Sequence, residues 1–110
     1  MPALTSGDRS LEGRVAVVTG AGSGMGRATA WLLADLGAKV AALDLDEAGL
    51  AETVEAIEGV SGAVHGWRLD VSDGDAVRRV FADVVEQFGG IDILINNAGI
   101  SRFTPVDADD

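Results

Sequence analysis

The residues of this 110-residue chain that could do chemistry gather first at two places, the stretch Thr19-Gly20-Ala21-Gly22-Ser23-Gly24-Met25-Gly26 and the acid Asp44. The chemistry of the first is anion binding. A strand-to-helix turn that brings backbone N–H groups within reach of a diphosphate leaves no room for Cβ atoms, and the helix N-terminus adds partial positive charge. The strict pattern Gly-x-Gly-x-x-Gly fails here: counted from Gly20, Met25 stands where the third glycine belongs, and counted from Gly22, Arg27 does. A P-loop fails too, because no Gly-Lys-Ser/Thr follows. What fits is Thr-Gly-x-x-x-Gly-x-Gly on Thr19, Gly20, Gly24 and Gly26. By itself a glycine-rich turn reads equally well as a structural one.

Asp44 follows Gly26 by 18 residues, near the distance at which a carboxylate takes both hydroxyls of an adenosine ribose. A 2′-phosphate beside that carboxylate meets like-charge repulsion of about 4 kcal/mol per unit pair at 4 Å and an effective dielectric constant near 20. No Lys or Arg follows in Leu45-Asp46-Glu47, and Ser23 fills the place in the turn where a basic residue would help. The expectation is NAD in preference to NADP. Taken alone, Asp44 serves equally as the N-cap of a following helix.

Positioning these residues requires alternating elements. Arg14–Thr19 holds a Val-rich run that fits a strand buried on both faces. From Gly24 to Leu36 the pattern is helical, with Ala28, Leu32 and Leu36 at four-residue spacing and Gly37 as the terminating glycine. A second strand over Lys39–Leu43 ends at Asp44, and a second helix carries Leu50, Val54 and Ile57 before Gly59. A weaker third strand spans Ala63–Leu69. The third helix shows the clearest stripe, Val77, Val80, Phe81, Val84, Val85 and Phe88, with Ser72 and Asp75 as a capping box and Gly89-Gly90 at its end. Ile91–Ile95 is the fourth strand. This strand–helix alternation predicts a parallel sheet covered by helices.

Bulk composition limits the alternatives. With 47% hydrophobic and 24% charged residues the chain is globular rather than disordered, and its length allows one domain. Eighteen acidic against 8 basic residues, a net charge of −10, oppose nucleic acid and anionic membrane surfaces as partners. There is no Cys, so no disulfide, zinc-thiolate site or thiol nucleophile exists. No apolar run approaches the roughly 20 residues of a membrane helix, and residues 1–14 lack the apolar stretch of a signal peptide, which makes the cytoplasm the default location. His65, Trp31, Trp67 and Arg102 read as structural or surface residues.

Together, Thr19–Gly26, Asp44, Asp70-Val71 and Asn96-Asn97-Ala98-Gly99 resemble, in order and spacing, the short-chain dehydrogenase/reductase family, over Leu11 to Thr104. The resemblance implies a Rossmann-type α/β fold, a doubly wound parallel sheet of about four strands in the order 3-2-1-4 with three helices. It implies a nicotinamide dinucleotide held at Gly20, Ser23, Gly24, Met25 and Gly26, with Asp44 on the adenosine ribose. Asp70 would accept from the adenine amino group, with Val71 alongside, and Asn97, Ala98 and Gly99 would pass close to a ribose. Asn96 would tie neighbouring strands together. Alone, Asp70 reads as a turn acid and the asparagines as turn residues.

The family transfers hydride with a Tyr-x-x-x-Lys pair, a Ser and a later Asn. Here there is no Tyr, and the one Lys, Lys39, sits at the second strand. Ser101 lies in the wrong part of the motif order. No catalytic residue and no metal ligand is assigned within the 110 residues. The chain is expected to be a flexible arm over 1–13 and a partial dinucleotide-binding domain over 14–110, lacking the catalytic half. Three functions remain open: the NAD-holding portion of an oxidoreductase acting on an alcohol or carbonyl, a stand-alone dinucleotide-binding module, and an assembly fragment needing a complementary half. Ile91, Ile93, Leu94 and Ile95 on an exposed fourth-strand edge would favour self-association, and the parent would be a homo-oligomer.

Overall fold

A computed structural model describes residues 10–59 and 63–97. The chain runs β1 (Val15–Thr19), α1 (Gly24–Asp35), β2 (Lys39–Asp44), α2 (Glu47–Glu58), β3 (Val64–Arg68), α3 (Gly74–Phe88) and β4 (Ile93–Asn96). The four strands form one parallel sheet in the order β3-β2-β1-β4. This is the expected Rossmann-like α/β arrangement. Among the described residues no helix is long and apolar enough to cross a membrane.

β1 and β2 lie inside the sheet, and the alternation of strand side chains divides their residues between two cores. Ala16, Val18, Val40 and Ala42 face one side, where they meet Ala30, Trp31 and Ala34 of α1 and Leu50 and Ile57 of α2. Val15, Val17, Ala41 and Leu43 face the other, against Val84 of α3, with Val77, Val80, Phe81 and Phe88 packed around. Burial on both faces is why these strands read as continuous apolar runs. β3 is an edge strand and only half-buried. Leu11 also reaches the first core, and its N–H donates to Leu36 O at 2.9 Å.

Three sequence-based expectations change. In α1 the buried face is Gly26, Ala30, Trp31 and Ala34 rather than the Ala28, Leu32 and Leu36 row. Close approach of the helix to the glycine turn fixes its rotation, and Gly26, where a Cβ would meet Gly20 O at 1.9 Å, marks the point of contact. α3 is capped by Asp73, whose carboxylate accepts from Ala76 N–H at 3.1 Å; the Ser72 hydroxyl instead donates to Asp70. Val85, placed on the α3 stripe by period, is 46% exposed, while its neighbour Val84 is fully buried.

The helix endings follow their glycines. After α1, Gly37 adopts φ +105°, its N–H donates to Ala34 O, and Ala38 N–H donates to Leu33 O. This double closure satisfies the last carbonyls of the helix. Gly89 ends α3 in the same left-handed region, with its N–H on Val85 O at 2.8 Å.

Candidate functional site

All four places that carry the resemblance lie at the carboxyl ends of the parallel strands, where open α/β sheets leave a crevice. Gly20 follows β1, Asp44 ends β2, Asp70 stands two residues past β3, and Asn96 ends β4.

The turn after β1 is built on glycine for reasons visible in its backbone. Gly20 and Gly24 take φ +66° and +55°, and a Cβ on Gly26 would sit 1.9 Å from Gly20 O. Any side chain there would push α1 off the turn. Ser23 precedes α1 in an extended conformation, its side chain makes no capping bond, and the first turn of α1 has no acid. By contrast α2 and α3 are each capped by an aspartate and carry an acid in the first turn. The leading end of α1 is therefore electropositive and open, with Ser23, Gly24 and Met25 exposed around it.

Asp44 is drawn onto this turn. Its Oδ2 accepts from Gly22 N–H at 2.7 Å and its Oδ1 from Asp46 N–H at 2.9 Å. A Cβ on Gly22 would lie 2.7 Å from the same Oδ2, so glycine at 22 is what admits the carboxylate. The cap of α2 is Asp46, which accepts from Gly49 N–H at 3.2 Å. The alternative reading of Asp44 as a helix cap thus fails.

Beyond β3, Leu69 N–H donates to Asp44 O at 3.0 Å, which places Asp70 next to the end of β2. Ser72 donates to Asp70 Oδ1 through both its hydroxyl, at 2.7 Å, and its N–H, at 2.9 Å. These two bonds, with help from the Arg68 charge, hold the exposed Asp70 carboxyl below its ordinary value of 3.8. Val71 packs into the second core. At β4 the Thr19 hydroxyl donates to Asn96 Oδ1 at 2.7 Å and accepts from Asn97 N–H at 2.9 Å, joining β1 to β4. Asn97 Nδ2 is buried and has no partner among the described residues. Ala98, Gly99, Ser101 and Arg102 lie outside the described residues.

The structure therefore brings Gly20, Ser23, Gly24, Met25, Gly26 and Asp44 around one turn, with Asp70 and Asn97 at neighbouring strand ends. Sequence reasoning missed the brace behind it. Arg27 donates to Gly22 O, to Gly49 O at 3.1 Å, to Glu52 Oε1 at 3.1 Å and, through Nε, to Thr53 Oγ1 at 2.8 Å. Gly49 lies so close that a Cβ there would meet Gly22 O at 2.5 Å. The available signal was a glycine inside a helix, which marks a close backbone approach.

Comparison with known proteins falls in line with this geometry. The family described as short chain dehydrogenase matches residues 14–110. The 3-oxoacyl-(acyl-carrier-protein) reductase FabG of Thermotoga maritima is 46% identical over 92 residues, 84% of this chain and 37% of that protein. D-threitol dehydrogenase of Mycolicibacterium smegmatis is 42% identical over 100 residues, 91% of this chain and 38% of that protein. The chain thus spans less than two-fifths of the length of these relatives. A short chain dehydrogenase/reductase from Burkholderia phymatum, solved in complex with NAD, superposes with a TM-score of 0.74 at 44% identity, covering 76% of this chain and 30% of that one. The citronellol catabolism dehydrogenase AtuB of Pseudomonas aeruginosa gives 0.81 at 33% identity, covering 94% and 42%.

Proposed function

The chain belongs to the short-chain dehydrogenase family, and from that premise we propose that it forms the part of an oxidoreductase that holds NAD(H). The observation that carries this reading is the Asp44 carboxylate fixed against the glycine turn by Gly22 N–H at 2.7 Å. With two backbone donors orienting it, the carboxylate keeps lone pairs free for both hydroxyls of an adenosine ribose. The residues present fit a dinucleotide. The open leading end of α1, at Ser23, Gly24 and Met25 and closely approached through Gly20 and Gly26, suits its diphosphate. Asp70, with Oδ1 taken by Ser72, has Oδ2 left to accept from the adenine amino group, beside Val71. The Asn97 side-chain amide, without a partner among the described residues and followed in sequence by Ala98 and Gly99, suits a ribose hydroxyl. When bound, the cofactor supplies or accepts the hydride exchanged with an alcohol or carbonyl substrate.

In this proposal NAD is preferred to NADP, because a 2′-phosphate would be forced against Asp44 with no cation in Leu45-Asp46-Glu47 to offset it. The 110 residues hold cofactor without turning substrate over. The sequence contains no Tyr, and Lys39 begins β2, at the opposite end of the sheet from the site. Among the described residues the outer edge of β4 has no partner strand, a second copy is the partner proposed for it, and the cytoplasm is the proposed location.

Calorimetric titration of the folded chain with NAD and NADP, beside an Asp44→Ala variant, tests the reading. NAD should bind at least about tenfold more tightly than NADP, a difference of about 1.4 kcal/mol, and the variant should lose that preference. A folded chain that binds neither dinucleotide, or both equally, overturns the assignment.

A further inference from the structure

One peptide plane in the glycine turn is gripped from both sides. The peptide joining Ala21 to Gly22 presents its N–H to Asp44 Oδ2 at 2.7 Å and its carbonyl to the Thr53 hydroxyl, also at 2.7 Å. Thr53 sits on α2 and is fully buried. Its hydroxyl has a single proton and lies farther from Gly49 O, at 3.2 Å, so the proton goes to Ala21 O. The hydroxyl oxygen in turn accepts from Arg27 Nε at 2.8 Å. The result is an unbroken relay from the Arg27 guanidinium through the Thr53 hydroxyl and the Ala21–Gly22 peptide to the Asp44 carboxylate. It has a cation at one end and an anion at the other, so each bond polarises the next in the same sense.

We infer that Thr53, aligned by Arg27, is a positioning residue that sets the choice between NAD and NADP through this peptide. The inference rests on the reading of Asp44 as the ribose-binding carboxylate. A trans peptide points its C=O and N–H in opposite directions, so holding the carbonyl fixes where the N–H points. That N–H decides the height and tilt of the carboxylate over the turn. Without the Thr53 hydroxyl the plane can rotate, and Asp44 keeps its charge but loses its geometry. NAD then loses aligned hydrogen bonds, while NADP is relieved of a fixed opposing charge.

The test is a titration of NAD and NADP against the full chain and its Thr53→Val, Thr53→Ser and Arg27→Gln variants, alone and with Asp44→Ala. Valine keeps the volume of threonine and removes the hydroxyl. The expected result is a rise of about fivefold to tenfold in the Kd for NAD in Thr53→Val, with the Kd for NADP unchanged or lower, so that the preference shrinks. Thr53→Ser should restore it. Arg27→Gln, at the half-exposed end of the relay, should reduce it in the same direction and serves if Thr53→Val does not fold. With Asp44→Ala present, neither variant should alter the NAD-to-NADP ratio further, a coupling that a general loss of stability would not produce. A wild-type chain that discriminates the two cofactors, with Thr53→Val and Arg27→Gln variants that discriminate equally well, overturns the inference alone. A folded wild-type chain that does not discriminate overturns the cofactor reading and this inference with it.

Discussion

Asp70 and Ser72 show how two short bonds can set the behaviour of an exposed acid. Both Ser72 donors converge on Oδ1, which favours the ionised form and lowers the carboxyl below 3.8. The sign follows directly: a depressed native value contributes stability above the unfolded value, and that contribution is lost as pH falls through the native one. The acid therefore stays charged through the whole neutral range and well into the acid one. Replacing Ser72 by Ala should move the Asp70 midpoint up toward its ordinary value in a carboxyl NMR titration. An unchanged midpoint would mean that the serine is not the cause. The site residues were legible at this scale wherever spacing alone implied them. The turn glycines and Asp44 belong to that class, because one strand–helix–strand step fixes their separation. Thr53 and Arg27 were not legible, since their meeting depends on how α2 approaches the turn.

Elements were read well in number and order, less well in rotation. Apolar period located α1, yet the face it selected, Ala28, Leu32 and Leu36, is not the one pressed hardest into the core. Four-residue spacing alone finds a stripe, whereas the face that is buried holds Gly26, Ala30 and Ala34 with Trp31 beside them. In α3 the same method placed both Val84 and Val85 on the packed face, but only Val84 is buried, and Val85, a further 100° round the helix, is 46% exposed. Val84→Ala should lower unfolding free energy by about 2 kcal/mol in urea titrations, as a buried aliphatic truncation does. Val85→Ala should change it by less than about 0.5 kcal/mol. Equal losses would show that α3 is rotated from the position described. The start of α3 was misread by one residue because Ser72 and Asp73 are both good caps. Asp70 decides between them by claiming the serine.

At the scale of the whole molecule, the sheet has two unlike margins. β3 is half-exposed and carries the polar or amphipathic side chains of His65, Trp67 and Arg68. On the other side, Ile93 and Ile95 pack against the first core, while Leu94 is 44% exposed on the face that α3 serves. An apolar parallel edge of this kind pairs readily with another strand. The 110-residue chain is expected to sediment with a concentration-dependent coefficient at on the order of tens of micromolar, and Leu94→Lys should shift it toward a single monomeric species. A concentration-independent monomer with a cooperative melt would count against self-association through β4. The contact between Gly49 and Gly22 O carries a different lesson, one about exchange of parts between relatives. The glycine-rich stretch looks like a portable cassette, a dozen residues that could be swapped to change cofactor. Yet α2 closes its back so tightly that the cassette and its lid have to be traded together. A chimera that imports residues 15–27 beneath a foreign α2 with alanine at position 49 would receive the sequence of the site without its shape. The smallest heritable unit here is the whole run from β1 to the end of α2.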